Sequence, residues 1–492
     1  MMLQGIQAYF GPGADDPNEI LRQGALKNMT DLQFLATETL KWLGCPKRSM
    51  QMKGRAYYRY AHEFEDTVFT VRDADGMPVQ YKKNIKHVID NQYANMVDQK
   101  MNYMLGKPFS LQTQDEDYTA LLEAVFDKAF KRMLNVVAVD ALNEGLAWIH
   151  PYYDENGQLQ FKHFPGHQIL PFWADDDHTQ LDLAIRYYKT IAYEGLVETT
   201  VQHVDVYRKD GIYRYVLNGG RLIPDADIPT IAYASIADAD GGTVPVGWNR
   251  IPLVAFKYNQ YEIPLIQRVL PLQDAINATR SNWNNAMNED IRDTIFVLRN
   301  YDGEDVPEFR RKLMEYGAVK VSNDGGVDTL RLERDSNQYT EYLDKTKKAL
   351  IENARGFDAK DDRMSNNPNE MNLRSMYSDI DLDTDMMETQ FQAAFDQLLW
   401  FVDQYLLNSG KPDYTQEKVI FTFNRNMIVN DADTINNIRN SEGLVSNETL
   451  LAHHPYVKDV AAEMEKVAAE RQESMPGMTE DYLNSGNAGG DA

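Results

Sequence analysis

The chain has 492 residues, enough for about two to four domains, and its 43% hydrophobic and 25% charged residues are those of a globular chain. With 50 Lys and Arg against 75 Asp and Glu, the net charge is −25. That charge disfavours a surface that binds nucleic acid as a whole and leaves room for contact through a small basic element.

In chain order, residues 1–27 are rich in Gly, Pro and Asp and are expected to be loose. A helix is predicted over Asp31–Leu43, ahead of Cys45 and Pro46. Ile85, Ile89, Met96, Val97, Met101 and Met104 fall near one face and predict a helix over 83–105, stopped by Gly106 and Pro108. Residues 116–146 read as a second long helical tract. Over 148–222 the period shortens to that of strands, with turns at Glu155-Asn156-Gly157, at 175–178 and at Lys209-Asp210-Gly211. A loop is expected over 223–247 and a further strand over 250–258.

The second half differs in kind. A helix over 268–292 carries Val269, Leu272, Ile276, Trp283, Met287 and Ile291 on its apolar side and spans about 37 Å. A small module follows: a strand at 294–298, a short helix opened by Asp305-x-x-Glu308 and closed by Gly317, and strands at 318–322 and 327–332. The next helix, 336–357, is followed by the polar stretch 358–370. Residues 371–410 then form a very long helix with seven acids and one base. A strand at 418–423, helical sequence over 431–472 and a Gly/Asn/Asp-rich tail complete the chain. Two long helices bracketing a small module suggest a stalk with a head, or else an elongated α+β monomer with a helical hairpin. Closed repetition around a ring would bury their lateral faces.

Catalytic patterns are missing. Gly106-Lys107 and Gly410-Lys411 are each followed by proline and have no glycine five residues upstream, so neither is a P-loop. No G-x-S-x-G elbow occurs. The lone Cys45 excludes an intrachain disulfide and a Cys-rich zinc site, and fits a reducing compartment. The first residues, MMLQGIQAYFGPGADD, lack a basic segment followed by an apolar core, so they are not expected to act as a secretory signal. The longest apolar run, 398–402, is about five residues against roughly 18 for a membrane span, so no membrane association is expected. The most metal-like set is His163, His167, Asp175, Asp176, Asp177 and His178. Pro165-Gly166 prevents a helix from presenting the first two histidines together, and the Asp run reads as a turn. No metal and no cofactor are expected.

Several motifs recur in a telling order: Tyr103-Met104-Leu105-Gly106-Lys107-Pro108, Gly145-x-Ala147-Trp148, Pro165, Gln168-Ile169-Leu170-Pro171 and Arg250-Ile251-Pro252. They continue with Leu298-x-x-Tyr301-Asp302-Gly303-Glu304-Asp305, Asp324-Gly325-Gly326-Val327-Asp328, Ser446-Asn447-Glu448-Thr449-Leu450 and Pro455. Each is weak alone. In this order, over about residues 30–470, they resemble the portal (head-to-tail connector) proteins of tailed double-stranded-DNA phages, in the branch typical of long non-contractile tails.

The resemblance implies an α+β, elongated multi-domain portal fold that assembles into a ring. Its parts would be a mixed wing (1–262), stem helices (263–293 and 336–357), a small α/β clip (294–335) and a tunnel loop (358–370). A long kinked helix with a return strand (371–428), a helical crown (429–474) and a disordered tail (475–492) would follow. It implies a dodecameric ring at one capsid vertex of the virion, assembled in the host cytoplasm, with double-stranded DNA passing through the channel. The implied partners are the terminase large subunit, which supplies the ATPase, a head-completion adaptor, and the major capsid and scaffolding proteins. Where that family often has a small Gly/Ser-rich segment re-entering the long helix, this chain has Ser365-Asn366-Asn367-Pro368-Asn369-Glu370-Met371.

A sliding duplex cannot be held tightly, because each neutralised phosphate adds salt-dependent affinity. An acidic channel with sparse bases meets that need. The acidic run of the long helix has two readings, a channel lining or a solvated face. In the tunnel loop, Lys360 and Arg363, set among Asp361, Asp362, Asn366 and Asn367, have two readings, bases that approach DNA phosphate or part of a solvated polar loop. The stem bases Arg280, Lys345, Lys347 and Lys348 are candidates for inter-subunit ion pairs or weak DNA contacts. Within 291–335 there are eight bases and ten acids. Phe296, Phe309, Leu313 and Tyr316 there either anchor neighbouring subunits or form the module's own core. Two other functions stay open: a non-channel virion scaffold or structural protein, and a metal-dependent hydrolase at His163, His167, Asp176 and His178.

Overall fold

The computed structural model describes residues 30–64, 68–72, 77–82, 85–237, 243–288, 294–299, 324–331, 336–358, 370–425, 431–452, 454, 456–457 and 460–473. The chain forms two units, 1–357 with 379–426, and 358–378 with 427–492.

In the first unit, α1 (Asp31–Leu43) opens on a capping box between Thr30 and Gln33. Cys45 is buried and leads into α2 (Pro46–Tyr58), whose first-turn proline lacks the N–H that a helix start cannot use. A ribbon of β1 (Val68–Arg72) and β2 (Pro78–Lys82) follows, then α3 (Gln92–Leu105), β3 (Ser110–Gln112), α4 (Glu116–Val125) and α5 (Lys128–Glu144). The tract expected to run unbroken from 116 to 146 divides because the Asp127 carboxylate accepts the Phe130 N–H and starts a new helix. Gly145, at φ +84°, ends it. A Cβ there would lie 2.1 Å from the Glu262 carbonyl oxygen, so both the backbone turn and the close approach require glycine.

Strands β4 (Leu146–Tyr153), β5 (Leu159–Pro165), β6 (Ile169–Trp173), β7 (Leu181–Glu194), β8 (Val197–Arg208) and β9 (Gly211–Asn218) follow by short turns. The segment read as a loop holds four short strands, β10 (Arg221–Pro224), β11 (Thr230–Ile231), β12 (Ala234–Ala237) and β13 (Thr243–Val246). The first two extend the sheet on β9 and the last two pair with each other, so neighbouring strands override a composition rich in Asp and Pro. The strand read over 250–258 narrows to β14 (Val254–Lys257). One antiparallel sheet has the order β14-β4-β5, the other β10-β9-β8-β7-β6 with β11 on β9. Phe34, Leu35 and Trp42 of α1 cover the second sheet at Leu170, Leu183, Ile185 and Val206. The main core joins Phe130 of α5, Trp148 of β4 and Phe256 of β14 to Phe391 and Phe395 of a later helix.

That later helix comes after α6 (Ile266–Asn288), β15 (Thr294–Arg299), β16 (Gly326–Arg331) and α7 (Ser336–Asn353). β15 and β16 pair antiparallel, and Trp283 stacks on Tyr339 at 4.3 Å between α6 and α7. Helix α8 (Glu370–Asn408) has 39 residues, about 58 Å of helix. The return strand β17 (Ile420–Thr422) pairs with β3. In the second unit, the helical sequence over 431–472 resolves into α9 (Asp431–Asn440), α10 (Asn447–Ala452) and α11 (Val460–Glu473).

Candidate stem junction and charged clusters

The helix expected over 83–105 begins only at Gln92. Residues 85–90 are not helical; they lie extended along α6 as a strap. The N–H groups of Lys86, Val88 and Asp90 donate to Asn285 Oδ1 (2.9 Å), Ser281 Oγ (2.9 Å) and Asn277 Oδ1 (3.0 Å). The Tyr93 N–H donates to Gln273 Oε1 (2.9 Å). Asn285 and Gln273 donate back to the carbonyls of Lys86 and Asp90, both at 2.9 Å. The periods explain the match. Every fourth residue of a helix recurs at about 6.0 Å, and every second residue of an extended chain at about 6.6 Å. The four α6 side chains are at most 7% exposed, so each step pairs a buried polar side chain with the backbone of the strap. Leaving one such group unpaired costs about 1–3 kcal/mol. Asn277→Leu removes the acceptor of the Asp90 N–H and is expected to lower stability by about 2–3 kcal/mol in urea unfolding. A loss below about 0.5 kcal/mol, the level of a neutral surface change, would sink this reading of the ladder.

At the end of the strap, the Asp90 carboxylate gathers α6 and α7. Arg280 of α6 lies 2.6 Å from it and Lys347 of α7 lies 2.9 Å away, with the Gln92 amide also donating. Burial works to raise the Asp90 carboxyl; Lys347, Gln92 and Arg280 outweigh it and hold it below the usual range. Two of the four predicted stem bases are thus drawn together within one chain. Lys345 pairs with Glu341 one turn away on an exposed face (2.7 Å), an arrangement of little energetic weight. Lys348 is exposed, with no partner among the described residues.

A second cluster fixes the roots of α6 and α7 to α8. Asp383, 1% exposed, meets Lys100 of α3 at 2.7 Å, Arg268 of α6 at 3.0 Å and Arg355 just past α7 at 3.6 Å. It also accepts from the Tyr258 hydroxyl. Lys100 Nζ donates further to the Arg355 carbonyl (2.9 Å), and Gln99 clasps the backbone of Phe357 through both its amide groups. Burial pushes the Asp383 carboxyl up, but Lys100, Tyr258 and Arg268 bring it below the ordinary range. Lys100 is lowered, by burial first and then by the like charges of Arg268 and Arg355.

These helices belong to a chain whose residues 52–477 match the family model for phage portal protein, SPP1 Gp6-like. The chain belongs to that family of phage portal proteins. The portal protein of Bacillus phage SPP1 is 28% identical over 432 residues, covering 85% of this chain and 83% of its own. The portal protein of Clostridium phage phiCD119 is 25% identical over 456 residues, covering 89% and 96%. A chain in the solved virion of a native gene transfer agent particle aligns at 11% identity and a TM-score of 0.40, over 73% of this chain and 88% of that one. The family drawn from the ordered motifs is the one found, and the α+β expectation matches the helices and sheets of this portal chain.

In the portal chain the acidic run of α8 is mostly committed to internal partners. Arg425, beyond β17, binds Asp381 and Glu388 at 2.9 Å and also Asp385. Tyr118 donates to Asp403 at 2.7 Å, and Asp383 sits in the cluster above. Five of the seven acids over 371–410 therefore have partners within the chain. Arg425 carried no sequence signal, being 37 to 44 residues from its partners.

The histidines of the metal-like set go to three different carboxylates. His163 is 3.2 Å from Asp140, His167 is 2.9 Å from Glu144 and His178 is 2.9 Å from Glu262. Asp175 accepts the N–H groups of Thr179 and Gln180, as a turn residue does. Among the described residues no three such side chains converge on a metal position. The hydrolase reading thus loses the convergence it needed. Lys360, Asp361, Asp362, Arg363, Asn366 and Asn367 lie outside the described residues, as do Phe309, Leu313 and Tyr316. Phe296 is placed by its backbone in β15.

Proposed function

We propose that twelve copies form a ring at one capsid vertex of the virion and conduct double-stranded DNA during packaging and ejection, without chemistry of their own. The carrying observation is the capture of Arg280 and Lys347 by Asp90. Two of the four predicted stem bases are thereby taken up, leaving Lys345, in its weak exposed pair with Glu341, and Lys348 for contact with phosphate. Counterion release makes every such contact a brake, so a stem that neutralises its own cations suits a conduit.

In this reading 1–262 is the wing, 263–293 and 336–357 the stem, 294–335 the clip and 358–370 the tunnel loop. Residues 371–428 lead back to the wing, and 429–474 form the crown, followed by a disordered tail. The clip docks the terminase large subunit and later a head-completion adaptor, with Phe296, Phe309, Leu313 and Tyr316 serving neighbour contacts or the clip core. Major capsid and scaffolding proteins surround the ring as it assembles in the host cytoplasm, away from membrane. Single-particle imaging of the purified chain tests the ring: about twelve subunits around an axial hole support it, and a compact monomer or dimer counts against it.

Lys360 and Arg363 would form an adjustable collar on the duplex. Replacing both with alanine is expected to change packaged DNA length or DNA retention. Packaging and retention at wild-type levels would remove the collar from the mechanism.

A further inference from the structure

The β7–β8 hairpin outruns its sheet. Strand β6 pairs with β7 only from Leu181 to Arg186, and β9 pairs with β8 only from His203 to Arg208. The six pairs from Lys189–Gln202 to Glu194–Val197 continue as a two-stranded arm of about 20 Å. Among the described residues both edges of the arm lack a neighbouring strand, which makes each a template for another chain. A lone two-stranded hairpin is marginal in water. Its end is apolar: Ile191, Tyr193 and Val197 are 62%, 68% and 64% exposed, and Leu196 is fully exposed.

The same unit carries a hollow of about 490 Å³ between α4, the start of α5, β5 and the end of α8. Leu121, Val125, Met133, Leu159, Phe161 and Leu406 line it, with Asp127 and Lys411 among its polar residues. That volume lies in the range that accepts a sizeable apolar group.

We propose that the arm of one copy seats Leu196 and Tyr193 in this hollow of the next copy. Arm and hollow on one chain are different surfaces, so the contact is head-to-tail and propagates until a ring closes. Charge favours a second copy as the occupant. The chain carries −25, yet the arm holds one lysine, Lys189, against Glu194 and Glu198, and the hollow one acid against one base. Copies that repel elsewhere can approach here. Lys189 and Glu198 can face Asp127 and Lys411, one opposite pair each. This inference rests on the ring reading above.

The test pairs Leu196→Cys with Ala124→Cys, Ala124 being on the hollow's lining and the native Cys45 buried. Rings of the double variant, mildly oxidised, are expected to give a ladder of covalent multimers that neither single variant gives. Leu196→Asp is expected to raise the concentration needed for ring formation about tenfold or more, as loss of a buried anchor does. Its thermal unfolding should stay unchanged, because the arm tip adds nothing to the chain's own core. Rings that form normally in both variants without a ladder would overturn the arm contact alone. So would Leu196→Asp rings that assemble normally but fail to enter capsids, since the arm then belongs to a capsid partner. A wild-type chain that never forms rings overturns the ring reading and the arm contact together.

Discussion

Asp383→Ala should lower the stability of the first unit by about 3–5 kcal/mol, the cost of breaking a buried ion pair from one side. Lys100 is 3% exposed and would be left facing Arg268 and Arg355 with no carboxylate among them. The loss is expected to exceed the pair's own worth, because most of it is the penalty of an uncompensated buried charge. Lys100→Met together with Asp383→Leu should therefore recover much of it, as apolar replacement of both partners often does. Urea unfolding of the two single variants and the double variant gives the coupling. A single-variant loss below about 1 kcal/mol would show that water or rearrangement solvates Lys100 and that Asp383 does not fasten the roots of α6 and α7. The effect on the conduit follows from place. Arg268 lies in the first turn of α6 and Arg355 just past α7, so a loosened Asp383 frees the roots of both helices from α8 at once.

The sequence made the long helices legible because their apolar residues recur at helical spacing and their ends carry caps or breakers. It misled at 85–91. Ile85 and Ile89 keep the i,i+4 spacing of a helix, yet the backbone there finds its partners in the side chains of another element. The matching row on α6, Gln273, Asn277, Ser281 and Asn285, has perfect i,i+4 spacing, but a buried polar row looks like a solvent face to any hydrophobic pattern. The charged clusters were illegible for a related reason. Sequence gives the sign of Asp381, Asp383, Asp385 and Glu388, and only the fold brings Arg425, Lys100 and Arg268 to them. The family was legible nonetheless, since ordered short motifs need no knowledge of contacts.

The Glu262→Gln variant should show the largest pH-dependent change in the chain. Glu262 is 3% exposed and holds Lys47 at 2.5 Å, His178 at 2.9 Å and Lys257 at 3.3 Å. Burial alone would raise its carboxyl; Lys47, His178 and Lys257 reverse that and hold it far below the usual range. A carboxyl depressed in the folded state stabilises the fold in full above its unfolded value, about 4.3, and loses that contribution as pH falls through the folded value. At pH 7 the variant is therefore expected to be less stable by about 3–5 kcal/mol, with two buried lysines facing a neutral amide. Below about pH 4 the gap should narrow, because the wild type gives up the same contribution while the variant has none to lose. Asp90, Asp140 and Asp383 are depressed in the same direction, so the variant keeps an acid limb, but a shallower one. Stability measured from pH 7 to pH 2 decides it. Curves that stay parallel through the acid range would mean that Glu262 holds its neighbours by hydrogen bonding alone, with its charge contributing nothing.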